Sequence, residues 1–219
     1  MRVGDRKLAY SLEFSDTHKL TQELKPMTTI SMTFDVTNDD YLVWEGQVVM
    51  SRSEEPYFRK LFERIARDRL PARVLEIGFG LGISARQIQH HLHPVEHHIV
   101  EIDTGIYADL EQFASTRPGV MPHAADWRRL VLAAPFDLVF YDPFDYSSEP
   151  EDAVVEASLL RQPLGTEGAL CHPHFGDGPP RTLPGFRTVI LERFLVPEIE
   201  MADGTRCCHA AALLCFPDN

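Results

Sequence analysis

Val74-Leu75-Glu76-Ile77-Gly78-Phe79-Gly80-Leu81-Gly82 reads as a buried strand that runs straight into three glycines at alternate positions. Glycine takes positive φ at little steric cost and lets a backbone approach a ligand closely, as a nucleotide-binding turn at the carboxyl end of a parallel strand requires. The spacing is G-x-G-x-G, not the G-x-G-x-x-G favoured by dinucleotides, and no Lys-Ser/Thr pair follows as in a phosphate-cradling loop. A nucleoside without pyrophosphate fits it. Because glycine-rich turns also serve as plain connections, a second signal is needed. Glu101 supplies it at the end of the next strand, in Ile99-Val100-Glu101-Ile102-Asp103, where a carboxylate accepts hydrogen bonds from ribose hydroxyls. Asp103 reads as the cap of the helix that follows. Asp126-Trp127 comes after the third strand region, where an acid and an aromatic can flank an adenine ring; Trp127 as plain core fits equally well.

Outward from this motif, strand-like and helical patterns alternate. Arg73 to Ile77, His98 to Ile102 and Phe136 to Tyr141 read as strands, with helices near Ser84 to His91 and Gly105 to Ala114. A helix around Asp152 to Arg161 and a strand near Gly168 to Cys171 continue the rhythm. Strand, helix, strand at this pace predicts an α/β fold, with a mostly parallel central sheet and helices on both faces. Phe186 to Val196 and Cys207 to Phe216, separated by Met201-Ala202-Asp203-Gly204, predict an antiparallel C-terminal pair with Asp-Gly at its tip. Upstream, Tyr57, Phe58, Leu61, Phe62, Ile65 and Ala66 recur at amphipathic-helix spacing, with Pro56 in the first turn. Nearer the start, Leu8 to Phe14 and Ile30 to Val36 alternate as half-buried strands, and Ser15 and Asp16 could cap a short helix between them. Residues 1–45 are therefore expected to form an extension, serving as a lid, a homodimer arm or an appended sheet, and 46–219 the main domain.

With 219 residues, 44% of them hydrophobic, one core is expected. A formal net charge of -12 would repel DNA or RNA on average, so nucleic acid is not an expected partner, whereas a cationic small molecule would be attracted. The four cysteines include no C-x-x-C pair, and no apolar run approaches the ~20 residues of a membrane-spanning helix. A cytoplasmic protein with reduced thiols, without membrane contact, is the expectation. Cys171, His172 and His174 lack a second spaced ligand pair, so no metal site is expected there. His90, His91, His93, His97 and His98 are read as a solvated helix end and connection.

Three segments, in order, carry a resemblance. Val49-Met50-Ser51-Arg52-Ser53-Glu54-Glu55-Pro56-Tyr57 resembles V-M-E-R-W-E-T-P-Y, Val74 to Gly80 resembles V-L-E-V-G-F-G, and Tyr141-Asp142-Pro143 resembles Y-D-T. These are segments of guanidinoacetate N-methyltransferase and its arginine-methylating relatives, within the Rossmann-like class I S-adenosylmethionine-dependent methyltransferases. The resemblance implies S-adenosylmethionine as cofactor, held by Glu76, Gly78, Gly80, Gly82, Glu101, Asp126, Trp127 and Asp142. It implies a small guanidine substrate, free arginine or a guanidino acid, gripped by the carboxylates of Glu54 and Asp142 as the catalytic pair. Tyr57, Phe144, His172 and His174 are expected on the substrate side. Two features depart from the pattern: Ser53 stands where the family has tryptophan, and Phe175-Gly176-Asp177-Gly178-Pro179-Pro180 is too rich in breakers for the family's helical crossover.

A guanidinium, with a pKa above ~12, has no lone pair to spare at neutral pH. Two carboxylates can hold its planar fork through paired charge-assisted hydrogen bonds and aim one nitrogen at the methyl group. Asp142, at the carboxyl end of a strand, is expected to take the proton and Glu54 to orient. Asp142-Pro143-Phe144-Asp145 leaves other chemistries open: an amino-base methyltransferase, whose motif has one more proline, or an O-methyltransferase with Asp142 and Asp145 on magnesium. A non-catalytic nucleoside-binding scaffold is a third alternative.

Overall fold

The computed structural model describes residues 29–132, 135–144, 153–201 and 204–218. The strand and helix expected before residue 25, the turn residue Asp203 and Asp145 lie outside the described residues. Three short strands come first, β1 (Val36–Thr37), β2 (Tyr41–Trp44) and β3 (Gln47–Ser51), paired antiparallel in the order β1-β2-β3. The β2–β3 turn is Glu45-Gly46, both at positive φ. The division expected between residues 45 and 46 therefore falls inside this hairpin. Of the strand expected over Ile30 to Val36, only Val36 belongs to a strand. Ile30 makes an isolated bridge beside Asp103 through main-chain bonds with Ile102 O and Thr104 N–H, the Asp103 carboxylate takes the N–H of Met32 at 2.7 Å, and Asp35 N–H reaches Val43 O of β2, so the segment changes partner along its length and forms no continuous ladder.

Then follow α1 (Glu55–Asp68), β4 (Arg73–Ile77), α2 (Ile83–His91), β5 (Glu96–Glu101), α3 (Thr104–Ser115), β6 (Val120–Ala124), β7 (Phe136–Tyr141), α4 (Ala153–Arg161), β8 (Leu164–Cys171), β9 (Phe186–Glu200) and β10 (Arg206–Pro217). Strands β4 to β10 form one sheet in the order β6-β5-β4-β7-β8-β10-β9. Pairing is parallel from β6 through β8, while β10 is antiparallel to both β8 and β9. Pro122 and Pro197 sit in β6 and β9, the two edge strands, where a missing N–H costs no ladder bond.

Alternation along each inner strand sends side chains to opposite faces, and each face has its own core. On one face Val74, Ile99, Leu138 and Phe140 pack with α1, α2 and α3; on the other Leu75, Ile77, Val100, Val139 and Tyr141 pack with Ala157 and Leu160 of α4. Helix α1 buries Tyr57, Phe58, Leu61, Phe62 and Ile65, each worth roughly 1.5–3 kcal/mol of transfer free energy for a side chain of this size. From β4 the chain first adds β5 and β6 on one side, then returns to place β7 and β8 on the other. The topological switch point therefore lies between the carboxyl ends of β4 and β7, where open α/β sheets bind their ligands.

Candidate active site

At that switch point the glycine loop meets the end of β7. Gly78 has φ +93, and a Cβ there would lie 2.5 Å from the Asp142 carbonyl oxygen, so only glycine lets the two strand ends approach this closely. The Asp142 N–H donates to the Ile77 carbonyl at 3.1 Å, extending the β4–β7 ladder to Asp142 itself. Gly80, at φ +52, is packed against Met50 of β3, whose thioether sulfur accepts the Leu81 N–H at 3.1 Å. Gly82, at φ +65, caps α2 against the ring of Phe79 and is not among the walls of the cavity beneath the loop.

A cavity of about 130 Å³ opens beneath this loop. Its walls include Met50, Glu54, Gly78, Gly80, Glu101, Trp127, Asp142, Pro143 and Phe144. Among the described residues three carboxylates line it, and no Lys, Arg or His does. Glu101 is held by the backbone N–H groups of Phe79 (3.0 Å) and Asp103 (2.8 Å), which fix the loop to the acid while burial pushes its pKa up. Trp127 packs edge-on against Tyr141, centroids 5.2 Å apart, and its indole Nε1 finds no partner among the described residues.

Glu54 belongs to a capping box. Its Oε1 accepts the Ser51 N–H at 2.8 Å, and Ser51 Oγ accepts the Ser53 N–H. Desolvation, then the charge of Asp142, push its pKa up to about 8 against the pull of the Ser51 N–H. Desolvation, then the charge of Glu76, push Asp142 up to about 7. Both groups are thus poised to ionise when a cation arrives.

Other expected site residues sit elsewhere. Glu76 is fully buried on the α2 face, where one oxygen accepts from Ser84 Oγ and the other lies 2.9 Å from His97 Nε2. It braces the loop from below and does not line the cavity. Asp126 caps a short 3-10 turn, accepting from Arg128 N at 3.0 Å. Tyr57 is fully buried; its hydroxyl donates to Ala211 O at 3.4 Å and accepts the His174 N–H at 3.1 Å, so it supports the His174 backbone from inside the core. His172 and His174 line a second cavity, on the other side of Asp142 and Pro143, with Arg181. Their Nε2 atoms have no partner among the described residues, and burial lowers the pKa of both. Asp103 does cap α3, accepting from Gly105 and Ile106 N–H. His97 and His98 are not solvated: both belong to β5, His97 fully buried and His98 stacked on His123.

The family model for guanidinoacetate N-methyltransferase matches residues 22–154, more than half of the sequence. The chain belongs to the guanidinoacetate N-methyltransferase family. Solved structures agree on the fold. The N-methyltransferase NodS from Bradyrhizobium japonicum WM9, in complex with S-adenosyl-L-homocysteine, superposes with a TM-score of 0.56 at 16% identity, covering 76% of this chain and 89% of that one. A putative methyltransferase, yhhF, from Escherichia coli gives 0.52 at 14% identity, covering 74% and 87%. Spermidine synthase from Thermotoga maritima gives 0.55 at 13% identity, covering 82% and 65%. Family and fold are those of a methyltransferase, and the cavity fits S-adenosylmethionine as the family's cofactor. Close backbone approach at Gly78 and Gly80, a buried acid at Glu101, an indole wall at Trp127 and an uncompensated negative charge suit a nucleoside sulfonium. The fold contains no described helix long and apolar enough to cross a membrane.

Proposed function

We propose that this family member transfers a methyl group from S-adenosylmethionine to a nitrogen of a small guanidine that also carries an acidic group, free arginine or a guanidino acid. The observation that carries the reading is the charge of the cavity: Glu54, Glu101 and Asp142 line it without a cation among its wall residues. Two of these carboxylates have raised proton affinity, first because burial desolvates them and then because each feels a neighbouring carboxylate, Asp142 for Glu54 and Glu76 for Asp142. A guanidinium supplies that counter-ion and presents paired N–H groups that a carboxylate pair can grip.

S-adenosylmethionine supplies an electrophilic methyl carbon on a positively charged sulfur. Glu54 orients the guanidinium and holds positive charge on the nitrogens that do not react. Asp142 accepts the proton from the nitrogen that does. Removing that proton beforehand with an ordinary carboxylate costs roughly 11 kcal/mol for a gap of ~8 pKa units, so proton transfer accompanies or follows attack. Raising the proton affinity of Asp142 narrows the gap. Beyond Asp142, Arg181 lines the second cavity with His172 and His174; one of its guanidinium nitrogens is paired with the buried Glu156, and the N–H groups left over suit the acidic end of the substrate. Phe144 walls the methyl-transfer cavity.

Labelled S-adenosylmethionine offered with arginine, guanidinoacetate and neutral-tailed guanidines tests this directly. Transfer to the acidic guanidines, lost in Asp142→Asn, is expected; transfer only to catechol with magnesium or to an adenine-containing oligonucleotide would overturn the substrate.

A further inference from the structure

Three ionisable side chains stand obliquely across three neighbouring strands on the face covered by α2. Glu76 pairs in register with Ile99 on β5 and with Phe140 on β7, so His97, two residues before Ile99, and Asp142, two residues after Phe140, share its face. His97 and Glu76 are both fully buried, and neither lines the cavity. Gln89 Nε2 lies 3.1 Å from His97 Nδ1. An amide nitrogen only donates, so Nδ1 accepts and the ring proton sits on Nε2. That N–H lies 2.9 Å from Glu76 Oε2, at ion-pair distance though off the line of a hydrogen bond. Ser84 Oγ donates to the other oxygen. Both oxygens of a carboxylate without contact to bulk water are thus met by a positive dipole.

We propose that His97 is a positioning residue for methyl transfer: it fixes the buried Glu76 carboxylate on the face that Glu76 shares with Asp142, and that neighbour keeps Asp142 a competent proton acceptor. The inference rests on the guanidine reading above for the identity of the step, in which a proton leaves the attacked nitrogen for Asp142. Other groups that face Asp142 are Glu54 ahead of α1, Tyr57 of α1 and Cys171 of β8; Arg86 of α2 is a cation that feels the charge of Glu76. Of these, Glu54 also opposes ionisation at the site, whereas Tyr57 and Cys171 are held neutral by burial. Burial raises the proton affinity of Asp142 most, and Glu76 on the same face raises it further.

The test is a carboxyl-carbon NMR titration of Asp142 in the ligand-free full chain, wild type against Glu76→Gln, His97→Phe and His97→Gln. The Asp142 midpoint is expected to fall by about one pH unit in Glu76→Gln and His97→Phe, and to stay near wild type in His97→Gln, which can still donate. The acid limb of kcat should move with the midpoint, while S-adenosyl-L-homocysteine affinity holds. An unmoved midpoint in folded Glu76→Gln overturns the inference even if guanidine methylation stands. A moved midpoint without transfer to any guanidine leaves the coupling in place and removes the substrate reading instead. Should the buried variants fail to fold, nitrogen NMR of wild-type His97 decides: a proton on Nε2 supports the assignment, one on Nδ1 overturns it.

Discussion

Glu54 Oε1 accepts the backbone N–H of Ser51 at 2.8 Å, so the carboxylate that lines the cavity is anchored from behind by its own chain. The anchor serves both fold and site, and two substitutions separate these roles. Glutamine satisfies a capping box as well as glutamate does, so Glu54→Gln should keep the melting temperature within a few degrees. Losing the charge opposite a guanidinium should lower kcat/KM about 100-fold or more, as truncating a buried charge pair costs 2–5 kcal/mol. Glu54→Ala should lose both activity and about 1 kcal/mol of stability from the cap. Equal stability loss in the two variants would mean that Glu54 acts only as a cap.

The pH dependence follows from the free enzyme. Gripping a cation requires Glu54 and Asp142 ionised, and their pKa values stand at about 8 and about 7. The value of kcat/KM should therefore rise with pH across this range and level off above it. Once a guanidinium is bound, its charge favours both carboxylates, so the acid limb of kcat alone should lie at lower pH. Binding near pH 7 should release protons, seen by calorimetry in buffers of different ionisation enthalpy. A kcat/KM profile flat from pH 6 to 9 would refute the pair.

The same shifts make the empty site a liability. A carboxylate whose folded pKa is raised contributes stability that is fully present below its unfolded value near 4 and lost as pH rises through the folded value. For Glu54 and Asp142 the window runs from about pH 4 to about pH 8. Ligand-free Asp142→Asn should gain on wild type in melting temperature as pH rises through this window, by a few degrees at its upper end. A difference that shrinks with rising pH would mean that Asp142 already has a cationic partner in the empty protein.

Much of this site was legible in the sequence because its signals are local. Glycine spacing, a strand-end acid and a strand-end aspartate each follow from backbone geometry within a few residues, and Gly78, Glu101 and Asp142 do line one cavity. What sequence misplaced depends on facing and distance. Glu76 belongs to the same motif as Gly78, but the period of two along β4 turns it away from the cavity, toward His97 and Ser84. That signal was present in the alternation of Val74 and Glu76 against Leu75 and Ile77. The run His97-His98 looked solvated because two polar residues adjoin; in a central strand they point into two different cores, so polarity along the chain misled. Tyr57 was assigned to substrate, yet its hydroxyl is used by Ala211, 154 positions away, and nothing local announces that pairing. Arg181 was missed for a related reason: it lies in the breaker-rich segment after β8, and only the fold brings that segment beside Asp142.

Gly78 and Gly46 offer the sharpest test that the loop is shaped by close approach and not by φ alone. Both have positive φ, +93 and +74. An alanine Cβ at Gly46 meets nothing within 4 Å, so Gly46→Ala carries only backbone strain, of order 1 kcal/mol. At Gly78 the Cβ would lie 2.5 Å from the Asp142 carbonyl oxygen, 3.1 Å from its carbon and 3.3 Å from the Pro143 Cα, all backbone atoms that cannot rotate aside. The end of β7 must move, and the ladder bond from Asp142 N–H to Ile77 O goes with it. Gly78→Ala should therefore cost on the order of 3 kcal/mol or more, combining strain with a buried clash. It should also displace Asp142 from the cavity, so binding of S-adenosyl-L-homocysteine and methyl transfer should both fall far more than in Gly46→Ala. Equal losses in the two variants, measured by denaturant titration and calorimetry, would show that β7 and the glycine loop are not in contact as described.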